Sequence, residues 1–375
     1  MINRILSSEL ERWLFKGKVL ILYGARQTGK TTLVKQLLAH HEGVYYNADE
    51  PDVRLQFTQR TSSELARIVG TARLIVIDEA QRIENIGLTL KLLSDTLPHL
   101  QVIATGSSSF ELADRIKEPL TGRKFEFLMT PLSLEELEKH SNPLEVDRFL
   151  SQAVLYGLYP EPALSGKDEA RERLMELANS TLYKDVLLLG AIRNPEALDK
   201  LLRALALQVG QEVSHAELSG LLGLDKNTVD TYIRVLEQAF ILFRLAPFSR
   251  NLRNEMKKHH KVYFWDNGIR NAVINNFTPM ETRTDAGALW ENLFVAERIK
   301  FLKNRRSNNR TWFWRTYQQQ EIDYVEERDR GLLAAEIKTS PGKGRIPLTF
   351  RTAYPSAETQ IITKENWRQL VYAPT

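Results

Sequence analysis

The stretch KVLILYGARQTGKTTLVKQLL, residues 18–38, constrains this chain more than any other. It is an apolar run, a loop bounded by two glycines, and then a segment of helical periodicity. Gly24-Ala25-Arg26-Gln27-Thr28-Gly29-Lys30-Thr31 has the spacing G-x-x-x-x-G-K-[ST]. Glycines at both ends let the backbone curl tightly, so successive N–H groups and the next helix's N-terminus aim at one anion. The loop, with Thr32 after it, therefore reads as a cradle for the phosphates of ATP. Lys30 would reach the β- and γ-phosphates and Thr31 would ligate Mg²⁺.

Such a loop needs an acidic partner, and ARLIVIDEAQRI supplies one. Leu74 to Ile77 read as a buried parallel strand, with Asp78 emerging at its carboxyl end, where these sheets gather ligand-contacting groups. Asp78 is expected to hold Mg²⁺ through water and Glu79 to polarise an attacking water, which favours hydrolysis over simple nucleotide binding. The next strand, in LQVIATGSSSFEL, ends in Thr105-Gly106-Ser107-Ser108. These hydroxyls either sense the γ-phosphate or cap a helix starting near Phe110. Arg123, before a strand at 124–129, is either a surface arginine or a finger reaching a neighbouring copy's nucleotide.

The order of these strands resembles the AAA+ ATPases. More narrowly, YGARQTGKTTL, LIVIDEAQRI, VIATGSSSFEL and LTGRKFEFLMTPLSLEEL resemble a prokaryotic AAA+ group related to the STAND NTPases, whose members carry a C-terminal domain of unknown function. YGLYPEP and HKVYFWDNGIRNAV are similar to the same group, so the resemblance spans nearly the whole chain. It implies an ATPase that assembles into a homo-oligomer, a ring in one form. One departure is Leu158, where the group's turn has a second glycine.

Residues 131–210 read as helices, with apolar residues at i, i+3 and i+4, and are expected to form a helical lid. Ser214 with Glu217 starts a short helix whose apolar face is Leu218, Leu221 and Leu222, and Gly223 ends it. Asp225 caps a second helix buried through Val229, Ile233, Leu236 and Phe240. With the β-rich FILFRLAPF and KVYFWD after them, these helices spell a winged helix-turn-helix. Lys226, Asn227, Thr231 and Arg234 would face DNA. In RNLRNEMKKHHK, Arg250, Arg253, Lys257, Lys258 and Lys261 are phosphate-binding candidates, or simply a charged wing loop.

EIDYVEERDRGLLAAEIKTS, residues 321–340, reads as two strands around a charged turn. Residues two apart share a strand face, so Glu336 and Lys338 point the same way, with Asp323 on the neighbouring strand. Two converging carboxylates attract Mg²⁺, and a nearby lysine can orient a nucleophilic water. The layout resembles PD-(D/E)XK nucleases. Glu291, in the preceding helix GALWENLFVAERIKFL, is the expected further metal ligand, and Glu297 the reserve. The other reading is a salt bridge of Lys338 in a degenerate nuclease fold. RIKFLKNRRSNNR is read as a basic, DNA-facing helix end, and Trp312, Phe313 and Trp314 as core.

Composition narrows the classes. The chain has 375 residues, 43% hydrophobic and 26% charged, enough for two to four domains of ordinary globular type. It has no cysteine, which excludes disulfides and thiolate zinc sites. The N-terminus lacks a signal-peptide core and no apolar run reaches membrane-spanning length, so the cytoplasm is expected. Residues 1–240 hold 28 basic and 33 acidic side chains, net −5, whereas 241–375 hold 23 and 14, net +9. A polyanion, DNA above all, is expected at the back end.

The fold class expected is α/β: an AAA+ P-loop domain (1–130), a helical lid (131–210), a winged helix (211–275) and a restriction-endonuclease-like α/β domain (280–375). The expected function is ATP-driven remodelling or processing of DNA. Two alternatives stand beside it: a STAND-like nucleotide switch that recruits protein partners, and a DNA motor that translocates without cutting.

Overall fold

The computed structural model describes residues 2–107, 120–188, 192, 194–248, 260–329, 331–342 and 344–375. The helix expected near Phe110, together with Ser108, Arg250, Arg253, Lys257 and Lys258, lies outside them. The chain divides into two compact units, Met1–Leu132 with Gln238–Phe240, and Ser133–Glu237 with Ile241–Thr375.

In chain order the first unit contains α1 (Ile5–Trp13), β1 (Val19–Tyr23), α2 (Lys30–His41), β2 (Val44–Asn47), α3 (Pro51–Phe57), α4 (Ser62–Val69), β3 (Leu74–Asp78), α5 (Ile86–Thr96), β4 (Gln101–Gly106) and β5 (Lys124–Leu128). The strands form one parallel sheet in the order β2-β3-β4-β1-β5. Strand periodicity divides its side chains between two cores. Val19, Ile21, Ile75 and Ile77 pack with Phe57, Leu65 and Leu90 on one face. Leu20, Leu22, Leu74 and Val76 pack with Leu6, Leu33 and Val34 on the other. Burial on both faces explains why β1 and β3 read as unbroken apolar runs, each fully buried Leu, Ile or Val contributing about 1.5–3 kcal/mol. Local signals agree: Thr61 and Glu64 form a reciprocal capping box at the start of α4.

The second unit opens with α6 (Leu134–His140), α7 (Pro143–Tyr156), α8 (Pro160–Ala163), α9 (Lys167–Leu188) and α10 (Pro195–Leu207). Prolines at the first turns of α7 and α10 follow the capping residues Asn142 and Asn194. Then come β6 (Glu212–Val213), α11 (His215–Leu222), α12 (Lys226–Gln238), β7 (Leu242–Pro247), β8 (His260–Phe264), α13 (Asn267–Val273), α14 (Ala286–Asn304), β9 (Arg310–Arg315), β10 (Glu321–Arg328), β11 (Gly331–Ile337), α15 (Leu348–Ala353), β12 (Glu358–Ile362) and α16 (Arg368–Val371).

One seven-stranded sheet, β12-β11-β10-β9-β7-β8-β6, runs through this unit. β7 and β9 join in parallel through Ala246 opposite Trp312 and Pro247 opposite Phe313. Residues 210 and 275, two of the expected domain ends, fall inside the unit. Helices from its first part are also bound to its last. The Arg305 guanidinium grips Glu135 at 2.6 and 2.8 Å, and Arg368 reaches Asp147 at 2.8 Å and Glu138 at 3.2 Å. Leu158 is 1% exposed, and its N–H donates to Asp266 at 2.6 Å. The left-handed φ of that turn, 69°, belongs to Gly157, where a Cβ would lie 1.9 Å from the Asp266 carboxylate. Glycine is thus required at 157 and leucine is accommodated at 158.

Two surface assignments differ from expectation. Leu221, expected on a buried face, is 68% exposed, because a helix as short as α11 turns only Leu218 fully into the core. The basic helix end is divided: Lys303, Arg305 and Arg310 are exposed, whereas Arg298 and Lys300 are internal. Arg298 is sealed against Glu326 at 2.6 and 2.8 Å, both side chains fully buried, and buried Lys300 pairs with Glu297 at 2.7 Å. Charges in an amphiphilic run look alike in sequence whether water or an internal partner meets them. Trp312, Phe313 and Trp314 are buried.

Candidate functional site

The loop after β1 rises at the carboxyl edge of the parallel sheet. Gly24 lies where a Cβ would come within 2.2 Å of the Met129 carbonyl oxygen, and Gly29 takes φ 96° as it opens α2. Both positions therefore need glycine. Gln27 also adopts a left-handed φ, 58°. The Lys30 ammonium, 6% exposed, donates to the carbonyls of Gly24 at 2.7 Å and Ala25 at 2.9 Å. Thr28 turns its hydroxyl inward to the Ala25 carbonyl at 2.8 Å, so its own contribution to a ligand is backbone. Arg26 is half-buried, and Gln27 and Thr32 are exposed.

Asp78 ends β3 beside this loop. The Thr31 hydroxyl donates to it at 2.7 Å, the Tyr45 phenol at 2.5 Å, and the Thr105 hydroxyl to its other oxygen. Burial and the neighbouring Asp78 carboxylate push the Tyr45 phenol well up, so it stays a donor. Glu79, at φ 51°, donates its N–H to Thr105 at 3.1 Å, and its carboxylate accepts from Gln81 at 2.5 Å. Gln81 also reaches Ser107 at 3.3 Å. Hydroxyl and carboxylate oxygens are the hard donors Mg²⁺ prefers, and the glycine-lined turn fits a phosphate chain, so this donor set suits Mg²⁺ and nucleotide. Arg123 lies before β5, 41% exposed, with its guanidinium on Asp95 at 2.6 Å.

Three contributors escaped the sequence reading. Tyr45 belongs to the strand adjoining β3, and only the parallel register of β2 and β3 brings it to Asp78. Arg4 pins the loop by donating to the carbonyls of Thr28 at 2.6 Å and Thr130 at 2.7 Å, contacts 24 and 126 residues away in sequence. Gln81 sits in the DEAQ run but carries no recognisable spacing.

A second polar cluster lies in the other unit. Antiparallel pairing places Tyr324 opposite Ala335, so Asp323 and Glu336 are neighbours across β10 and β11. A register shift between Ile322 and Val325 marks a bulge at Asp323, a device that re-aims a side chain. The structure brings Asp323, Glu336 and Lys338 together: the Lys338 ammonium is 2.5 Å from Glu336 and 3.9 Å from Asp323. The Ile337 N–H donates to Asp323 at 2.9 Å. Glu291 joins from α14, where the Tyr263 phenol donates to it at 2.7 Å. Glu297 does not join; it accepts from the Leu134 N–H at 2.6 Å and pairs with Lys300.

The residue at the centre is Lys261. Read from sequence as a surface phosphate contact, its side chain is 1% exposed and its ammonium lies 3.0 Å from Glu291 and 3.2 Å from Asp323, with Glu321 as a third partner. A strand lysine whose partners lie 30, 60 and 62 residues on gives no local signal. Burial, together with the charge of Asp323, pushes Glu291 and Glu336 each up to about 7. Burial works against the Lys261 ammonium, yet the surrounding anionic groups, Glu291 foremost, raise its pKa well above the usual lysine range. One Glu336 oxygen is buried without a hydrogen-bond partner. Among the described residues no group of three or more His, Cys, Asp or Glu side chains is set to hold a metal ion.

On the expected DNA-reading helix α12, Lys226 and Asn227 are exposed and Thr231 is half-buried. Arg234 is turned back onto Asp230, which also pairs with Arg244 at 3.2 Å. Its charge is therefore partly spent within the protein.

Residues 16–138 match a family model described as an AAA domain, residues 147–280 one described as a domain of unknown function (DUF8612), and residues 286–371 another domain of unknown function (DUF4143). An uncharacterized protein of Mycobacterium tuberculosis is 29% identical over 331 residues, covering 86% of this chain and 71% of the relative. An uncharacterized protein of Methanocaldococcus jannaschii is 22% identical over 330 residues, 80% of this chain and 74% of the relative. Among solved structures, Pif1 helicase from Candida albicans overlaps at a TM-score of 0.26 with 15% identity, over 48% of this chain and 54% of that one. Overlap at that level says nothing of function. The AAA-domain match, with the loop and Asp78 as described, supports an AAA-type P-loop ATPase family, which implies nucleotide binding. No helix among the described residues is long and apolar enough to cross a membrane.

Proposed function

We propose that this protein hydrolyses ATP at the loop of residues 24–31 and spends the energy on DNA held by its second unit. The observation that carries the ATPase reading is the 2.7 Å contact between Thr31 and Asp78, which aligns the two oxygen donors such an enzyme uses for Mg²⁺. When bound, Mg²⁺ supplies charge neutralisation on the phosphate oxygens. The chain's own groups do the rest. Backbone N–H groups of the loop hold the phosphates, Lys30 moves its charge onto them, and Glu79, steadied by Gln81, orients a water for attack. Arg123 would complete the site of a neighbouring copy after leaving Asp95, which makes turnover per chain rise with protein concentration. Phosphate release measured for the wild type and Lys30→Ala tests this; normal turnover in the variant sinks it.

DNA as the substrate is supported by the net +9 of residues 241–375; the order β6, α11, α12, β7, β8, with β8 paired to both β6 and β7, is compatible with the winged-helix reading. Binding is expected to weaken steeply with salt as counterions are released. Affinity unchanged across a several-fold rise in salt would refute it. A second reading, a PD-(D/E)XK nuclease centre at Asp323, Glu336 and Lys338 with Glu291, is favoured by the unpartnered Glu336 oxygen. Its test is Mg²⁺-dependent shortening of labelled DNA that Asp323→Ala abolishes.

A further inference from the structure

Resting on the reading of Glu291, Asp323 and Glu336 as a nuclease-like cation site, we propose that Lys261 is the resident cation of that site. Its ammonium stands where a divalent ion would stand, so the wild-type chain takes Mg²⁺ or Mn²⁺ there only weakly. The geometry is specific. One ammonium meets carboxylates from two elements, Glu291 on α14 and Glu321 and Asp323 on β10, with its side chain 1% exposed. Other donors share two of those carboxylates. Tyr263 donates to the same Glu291 oxygen that Lys261 contacts, and the Ile337 N–H and Lys338 lie on the other oxygen of Asp323. The Phe313 ring lies 5.7 Å from the ammonium, closing its apolar side. A divalent ion entering this cluster has to displace a charge that the fold itself supplies, and a buried lysine that leaves loses three carboxylate partners at once.

Titration of the full-length chain with Mn²⁺ without nucleotide, followed by paramagnetic resonance, tests the assignment. The wild type is expected to show no tight site that Asp323→Asn removes. Lys261→Met is expected to gain one site, with affinity raised roughly tenfold or more, and Asp323→Asn in that background to abolish it. If Lys261→Met folds only when Mn²⁺ is added, that also supports the assignment. Lys261→Arg keeps the cation and should gain nothing; a gain there overturns the proposal. It is equally overturned by a tight Mn²⁺ site in the wild type that Asp323→Asn removes, or by a folded Lys261→Met that binds no better than wild type. Wild-type cutting of DNA lost in Asp323→Ala would uphold the nuclease reading while overturning this one. A folded Lys261→Met that neither binds Mn²⁺ nor cuts removes both.

Discussion

Asp78 and Asp323 are both buried carboxylates at the heart of polar clusters, yet their surroundings differ in kind. Asp78 ends a parallel strand and is met by the hydroxyls of Thr31, Tyr45 and Thr105. Asp323 sits at a bulge in a mixed sheet and is met by the ammoniums of Lys261 and Lys338. Hydroxyl dipoles orient a carboxylate while leaving its charge available for a cation from outside. Ammonium groups neutralise it from within. The first arrangement suits a cofactor that comes and goes, and the second binds strands and a helix of one unit together.

The largest effect should come from the first cluster. Glu79→Gln is expected to lower ATP turnover by roughly 10²–10³-fold while leaving nucleotide affinity near wild type, since the role proposed for it is confined to the attacking water. Parallel loss of binding would blur the contrast between the clusters. Next comes the second unit's dependence on internal charge pairs. Arg298→Met strands a fully buried Glu326 and should cost about 3–5 kcal/mol, read as a fall in the denaturant midpoint. Arg123→Ala, removing a 41% exposed ion pair, should cost no more than about 1 kcal/mol by the same measurement. Equal costs would deny that burial sets the difference.

Tyr45→Phe sharpens the hydroxyl side of the comparison. Losing one donor to Asp78 should lower stability by about 1 kcal/mol, and a larger shift would make the phenol more than an orienting dipole. The remaining prediction concerns pH. Hydrogen bonds from Arg283, the leading cause, and from Arg270 hold Asp285 down at about 2, below its ordinary 3.8. A depressed carboxylate contributes stability that is complete above its unfolded pKa and lost as pH falls through the folded value. Thermal midpoints of wild type and Asp285→Asn should therefore converge between about pH 4 and pH 2, and curves that stay parallel there would contradict the assignment.

Legibility followed the range of the interaction. Gly24 to Thr31, Asp78 and Glu79 were readable because short spacings encode a turn and a strand end. Asp323, Glu336 and Lys338 were readable as neighbours because a hairpin has a period of two and a local turn. Tyr45, Arg4 and Lys261 were not, since each acts across a register or a sheet that no spacing specifies. Arg298 and Lys300 were misplaced for a related reason: a charge run on a helix has one appearance in sequence and two in space.

By itself, the sequence determined the glycine-bounded loop and its strand–helix setting, because glycines at fixed offsets permit the tight turn that joins β1 to α2. Tertiary structure alone decided which charges are met from inside. That outcome depends on which distant side chains the sheets bring within about 4 Å, because a buried charge needs a partner and no local spacing specifies one.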